Sequence, residues 1–276
     1  MIYKKFYIKD LSKDFANSEA YLEYYSLEYH ETINGLDKYN RPGLVVIPGG
    51  GYMVCSDREA EPIALRMLVE GFNCFVVRYS CYQKYPTPQK EVAFFVNYIR
   101  THHQEFEIID EKLTLVGFSA GGHLAASYAN YYREIADLIN VDADIIKPLA
   151  IILGYPVITC GQYTHDMTAK IITDNDNNLI DKLSIEKHVS KDFPPTYIFT
   201  TKDDTVVPYQ NTTFLVEQLE KNHIKYQCHI FEGGEHGGSL YTRGVYFEFP
   251  QKYARALKNR DWVNEASDFV FDLLNQ

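Results

Sequence analysis

The sequence predicts an α/β fold: a doubly wound, mostly parallel sheet with an antiparallel amino-terminal edge and a small cap insertion. Three observations carry this reading. From Leu44 onward, short apolar runs alternate with longer stretches of helical period, the order that builds a parallel sheet covered by helices on both faces. Residues 1 to about 40 instead hold two Tyr-rich alternating runs, Ile2 to Ile8 and Tyr21 to Tyr29, which suit antiparallel strands added at an edge. The stretch from about 157 to 193 is polar, less regular and too long for a simple crossover, so it reads as a cap or lid.

The elements follow in order. Leu44-Val45-Val46-Ile47 is the first parallel strand, bounded by Pro42-Gly43 and Pro48-Gly49. Ser56 and Glu59 stand at capping-box spacing ahead of Ala60, Ile63, Ala64, Met67 and Leu68, which share one helical face until Gly71 ends it. Strand Phe72 to Val77 comes next. A turn holding Pro86 then leads to a helix opened by Thr87 and Pro88, with Val92, Phe95, Val96 and Ile99 on one side. Strand Leu113 to Gly117 runs directly into Ser119 and another helix. Beyond lie strands Leu149 to Leu153, Thr196 to Thr200 and Tyr226 to Phe231, with helices near Gln210 to Asn222 and Trp262 to Leu274. No internal repeat breaks this order, so residues 1–276 are expected to form a single domain.

Composition narrows the class. Hydrophobic residues make up 46% of the 276 and charged residues 23%, ordinary globular usage that argues against disorder. Lys and Arg number 27 against 37 Asp and Glu, a formal charge of −10, which disfavours nucleic acid and anionic membrane surfaces as partners. The start, Met1 to Phe6, is basic but has no apolar core or cleavage site, and no later run is long enough to span a bilayer. A cytoplasmic location is the expectation. Five cysteines, with no CxxC spacing, suggest neither a disulfide framework nor a zinc site. Asp174 to Asn178 begins like a calcium loop, but Leu179 and Ile185 stand where glycine and glutamate are required. With no P-loop or dinucleotide fingerprint either, no metal and no cofactor are expected. The partner is a small molecule, and self-association into a homo-oligomer is compatible with this reading.

Chemistry gathers at predicted strand ends. Gly117-Phe118-Ser119-Ala120-Gly121 matches G-x-S-x-G between a strand and a helix. A serine on so tight a turn needs glycine on both sides, and its hydroxyl then stands beside a helix amino terminus that favours developing negative charge. Ser119 is therefore the candidate nucleophile. Pro48-Gly49-Gly50-Gly51-Tyr52 ends the first parallel strand, and its bare main chain is suited to aim the N–H groups of Gly50 and Gly51 at an oxyanion together with that of Ala120. Among nine histidines, His236 alone lies in a glycine-rich loop, Gly233 to Gly238, after the last predicted strand. His30, His102, His103, His165, His188 and His223 fit surface roles. His229 falls within a strand, and His123, one turn along the elbow helix, fits packing. The orienting acid comes from Asp203-Asp204, of which only one can face the imidazole because adjacent side chains diverge. Tyr52, Tyr155 and Tyr163 are expected near the mouth, where their rings suit stacking on a sugar.

Taken together, Ile47 to Tyr52, Ser56 to Leu65, Val116 to Leu124, Gly154 to Ile158, Leu183 to His188, Thr201 to Asn211 and Phe231 to Gly237 resemble the acetyl-esterase and acetylxylan-esterase-like branch of the α/β-hydrolase superfamily. The resemblance implies an α/β-hydrolase fold, a nucleophile at Ser119, a base at His236 and an acid at Asp204 through the D-x-x-V-P pattern. The order Ser119, Asp204, His236 is the order of that superfamily. It also implies hydrolysis of short acyl esters without a cofactor, with an acetyl group on a neutral sugar as the expected substrate. Pro48 replaces the histidine of the HGGG form in related lipases and offers no backbone N–H. Two alternatives are a serine peptidase of prolyl-oligopeptidase type and a catalytically silent binder on the same fold. The first usually carries a propeller domain that this length does not accommodate, and the second predicts a broken triad.

Overall fold

A computed structural model describes residues 1–28, 40–245, 259 and 261–276. Among them, eight strands form one sheet in the order β1-β2-β4-β3-β5-β6-β7-β8. They are β1 Ile2–Tyr7, β2 Tyr21–Ser26, β3 Arg41–Ile47, β4 Asn73–Arg78, β5 Ile108–Phe118, β6 Ala150–Gly154, β7 Thr196–Thr201 and β8 Tyr226–Phe231. From β4 to β8 every pairing is parallel, whereas β1–β2 and β2–β4 are antiparallel. The expected mixed sheet with its antiparallel edge is what the chain adopts. Tyr29 and His30 lie outside the described residues.

Helices cover both faces, which is why the central strands read as continuous apolar runs. Alternate residues part to opposite sides. Val45, Ile47, Val77, Leu115 and Leu153 face helices α3 (Thr87–Thr101), α4 (Ala120–Ile139) and α8 (Gln210–Lys221). Leu44, Val46, Val76, Val116 and Phe199 face α2 (Glu61–Val69) and α9 (Trp262–Leu274). Trp262, wholly buried, stacks on Phe199 at 4.7 Å between ring centroids. Short helices α1 (Ile8–Leu11) and α5 (Ala143–Ile146) complete the connections.

Three local expectations change. The helix after β3 begins at Glu61, because Asp57–Glu59 forms a separate 3-10 turn and Ser56 makes no side-chain cap. Glu59 turns inward instead. β5 starts at Ile108, five residues before the expected Leu113, because Arg41 extends β3 to pair with Ile108. The stretch 157–193 holds α6 (Asp166–Thr173), α7 (Asn177–Lys182) and a 3-10 turn, Ile185–Lys187. Its Ile158, Ile172, Leu183 and Ile185 are wholly buried, so apolar side chains anchor a segment whose sequence reads as polar. Within it, Asp176 caps α7 by accepting from Asn178 N–H at 2.8 Å, the behaviour of a polar turn. Among the described residues, no helix is long and apolar enough to cross a membrane.

Candidate active site

Parallel strands all end at one edge of the sheet, and there the sequence has placed its unusual loops. Ser119 follows β5 with φ 52° and ψ −121°, a left-handed conformation that a non-glycine residue holds only when its surroundings enforce it. The enforcement is visible. Ser119 N–H donates to Gly154 O at 3.0 Å, while Ser119 O accepts from His123 N–H and Val157 N–H, each at 3.1 Å. A Cβ at Gly117 would lie 2.4 Å from Gly121 O, and one at Gly121 would lie 2.3 Å from the carbonyls of Ile47 and Pro48. No side chain fits at either position, so the two motif glycines follow from backbone crowding.

The structure brings three of the sequence-assigned residues into contact. Ser119 Oγ lies 2.8 Å from His236 Nε2, and His236 Nδ1 lies 2.7 Å from Asp204 Oδ2. Since a carboxylate accepts, Nδ1 carries the proton and Nε2 is free to accept the serine hydroxyl. Asp204 is 4% exposed, and its other oxygen accepts from Val206 N–H at 3.0 Å and Val207 N–H at 2.8 Å. Those two backbone bonds aim the carboxylate, and the neighbouring Asp203 is exposed.

The loop after β3 is held from several sides. Pro48 O accepts from Tyr79 OH at 3.0 Å, Gly49 N–H donates to Glu59 Oε2 at 2.9 Å, and Gly50 O accepts from Met53 N–H at 3.0 Å. Gly50 and Gly51 have φ of 120° and 65°, a path that glycine takes without strain. Among the described residues, none accepts from the N–H of Gly50 or Gly51, and Ala120 is the first residue of α4, where amides lack intrahelical acceptors.

Two tyrosines depart from expectation. Tyr52 is wholly buried, and its hydroxyl meets His123 Nδ1 at 3.0 Å while His123 Nε2 meets Leu183 O at 2.9 Å. A carbonyl can only accept, so Nε2 bears the proton and Tyr52 donates to Nδ1. Burial pushes the His123 pKa down to about 4. Tyr155 is likewise buried; its hydroxyl donates to Glu59 Oε1 at 2.7 Å and accepts from Ser239 N–H at 2.9 Å. Its ring lies edge-on against the His236 imidazole, 5.0 Å between centroids. Neither ring offers a face to a sugar, because both are core walls of the site. Tyr163 remains 39% exposed, beside Phe214.

Two further residues reach the site that the sequence reading did not place there. Glu59 is one; its capping-box spacing offered a sufficient local role, and only the long-range contacts reveal the other. The second is His165, expected at the surface. It is half-buried over the glycine loop, with its Cε1 3.4 Å from where a Cβ on Gly51 would stand and its Nδ1 2.9 Å from Thr168 Oγ1. Burial, and then the nearby His236, lowers its pKa below the usual histidine value.

Known proteins share this arrangement of chain. The sequence profile of the BD-FAE family matches residues 34–219, a stretch that takes in Ser119 and Asp204 and ends before His236. The endo-1,4-beta-xylanase B of Butyrivibrio fibrisolvens is 33% identical over 73% of this chain and 33% of its own. The acetylxylan esterase of Xylanibacter ruminicola is 25% identical over 78% of this chain and 44% of its own. The chain thus spans about a third to a half of the length of the curated relatives it matches. Among solved structures, a sugar hydrolase from Lactococcus lactis superposes with a TM-score of 0.79 at 29% identity, covering 99% of each chain. An acetyl ester-xyloside bifunctional hydrolase from Caldicellulosiruptor lactoaceticus gives 0.77 at 26% identity, over 92% of this chain and 88% of that one. With well over half of its residues matched, the chain belongs to the BD-FAE family, an esterase family with the α/β-hydrolase fold.

Proposed function

We propose that this chain is a serine carboxylesterase that removes short acyl groups, acetyl above all, from a neutral sugar or similar polyol. The observation that carries the reading is the continuous contact from Ser119 Oγ through the His236 imidazole to Asp204. In the proposed reaction His236 Nε2 takes the Ser119 proton as Oγ attacks the ester carbonyl. Negative charge on the carbonyl oxygen rests on the N–H groups of Gly50, Gly51 and Ala120. The imidazolium returns its proton to the leaving alcohol, and water, activated by the same nitrogen, releases the acid from the acyl-enzyme. Asp204 holds the Nδ1–H tautomer and balances the transient positive charge. No cofactor enters these steps.

Support for acetyl and sugar comes from two sides. The relatives named above include an acetylxylan esterase and an acetyl ester-xyloside hydrolase. On this chain, the formal charge of −10 disfavours anionic substrates, and the half-buried His165 puts a polar ring beside the glycine loop. A p-nitrophenyl ester series run beside acetylated xylo-oligosaccharides tests the proposal. Turnover efficiency is expected to fall beyond about four acyl carbons, because a methylene that does not fit the pocket meets a clash. A maximum at eight or more carbons with no sugar deacetylation would replace this reading with a lipase-like one.

A further inference from the structure

Of the described buried carboxylates without a part in the acyl-transfer steps above, Glu59 is the one that touches the glycine loop beside Ser119. Glu59 is 3% exposed, and among the described residues no lysine, arginine or histidine pairs with it. Desolvating a carboxylate is costly unless its oxygens are well served by donors. Here both are. Oε2 accepts from Gly49 N–H at 2.9 Å and Oε1 accepts from Tyr155 OH at 2.7 Å.

These two donors belong to opposite sides of the site. Gly49 opens the loop whose next two amides are assigned to the oxyanion, and a Cβ on Gly49 would stand 2.7 Å from Glu59 Oε2 and 2.9 Å from Ser119 Cβ. Tyr155 walls the imidazole of His236, and its hydroxyl takes the N–H of Ser239, three residues past that histidine. The turn carrying Glu59 also grips this second loop directly, through Ser239 Oγ donating to Arg58 O at 2.5 Å. Ser239 O in turn accepts from Trp262 Nε1–H at 3.0 Å, so the loop is tied to the core behind it. The Glu59 side chain therefore links the oxyanion loop directly, and the base loop through Tyr155, two loops that approach Ser119 from separate strands.

Resting on the serine-esterase reading, we propose that Glu59 is a positioning residue: its two oxygens set the oxyanion loop and the His236 imidazole at a fixed spacing across Ser119. Both features act on the transition state more than on bound substrate, so the role shows in kcat. A displacement of about 1 Å in either group is worth up to about 100-fold in rate.

The experiment compares Glu59→Gln and Tyr155→Phe with the parent enzyme on p-nitrophenyl acetate, each rate divided by the active sites counted in a burst titration. Gln keeps the shape but only one acceptor, and Phe severs the His236 arm while leaving Gly49 bonded to Glu59. Expected is a fall in kcat of about 10- to 100-fold for Glu59→Gln with KM within about threefold, and a smaller fall for Tyr155→Phe. The double variant is expected to be no slower than Glu59→Gln by more than about twofold, since the two side chains act in series. A kcat per titrated site within threefold of the parent for Glu59→Gln overturns the proposal. Fully multiplicative losses in the double variant do the same. Should Glu59→Gln fail to fold, Tyr155→Phe decides: an unchanged kcat overturns the coupling and a kcat-only loss upholds it. Ser119→Ala measured alongside separates the two levels, because an active Ser119→Ala enzyme sinks the esterase reading itself, whereas an inactive one beside a normal Glu59→Gln sinks only the role of Glu59.

Discussion

The turn between β5 and α4 and the segment between β6 and β7 both border Ser119, yet they are built on different terms. In the turn, backbone crowding dictates residue type: a Cβ at Gly117 or Gly121 would meet a carbonyl at 2.4 Å or less. In the segment, apolar anchors such as Ile172 and Leu183 are buried, while His165 is half-buried next to the exposed Asp166 and Met167. A position that admits one residue type is readable from sequence, and one that admits many is not. On the proposed mechanism, the turn carries the nucleophile, and the segment brings His165 to the glycine loop.

The sharpest way to break this contrast is Ser119→Ala. Turnover should fall by three or more powers of ten with the circular dichroism spectrum unchanged, as loss of a triad member does elsewhere. Residual activity within tenfold of the parent would move the chemistry off the turn. Next in size is the pair of acids. Asp204→Asn should lower kcat by about 100-fold or more, because the wrong imidazole tautomer is then favoured, while Asp203→Asn should stay within about threefold. A larger loss at Asp203 would reverse the assignment.

The segment has its own test. His165→Ala should raise KM for an acetylated xylo-oligosaccharide by about tenfold, the scale of one lost polar contact, and leave kcat on p-nitrophenyl acetate nearly unchanged. Equal effects on both substrates would place His165 with the chemistry instead.

The smallest effect concerns stability. His123 is neutral and buried, with its pKa pushed down to about 4, so folding favours the unprotonated form. Its contribution is complete above the unfolded value near ~6.5 and is lost as pH falls from there through about 4, on the order of 3 kcal/mol in total. His123→Gln should therefore flatten the fall of the urea midpoint between those pH values. An unchanged slope would show that other groups govern it.

Much of the fold was legible because sheet burial leaves a simple trace: β3, β7, β8 and α9 stand within three residues of where apolar runs and helical faces put them. The glycine patterns pointed to Ser119 and His236, and the family resemblance in the D-x-x-V-P pattern pointed to Asp204; these are the three side chains that meet. Side-chain direction was not. Tyr52 and Tyr155 follow strand ends, which places them near the site, but nothing local says that their rings turn into the core. Glu59 was hidden because its capping-box spacing from Ser56 supplied a local explanation, although that cap does not form and the carboxylate serves Gly49 and Tyr155 instead. His165 left no local trace, because its place over Gly51 comes from how the segment docks.

The hydroxyl of Ser119 and the imidazole of His236 are separated by 117 residues along the chain. A contact of such separation must meet its loop-closure entropy before it is repaid, whereas the turn and helix around the serine rest on local contacts. On the proposed mechanism, a chain whose β8 has not yet paired with β7 would hold the nucleophile without its base and would leave esters untouched. Turnover regained during refolding would then serve as a clock for that final docking, independent of any spectroscopic probe.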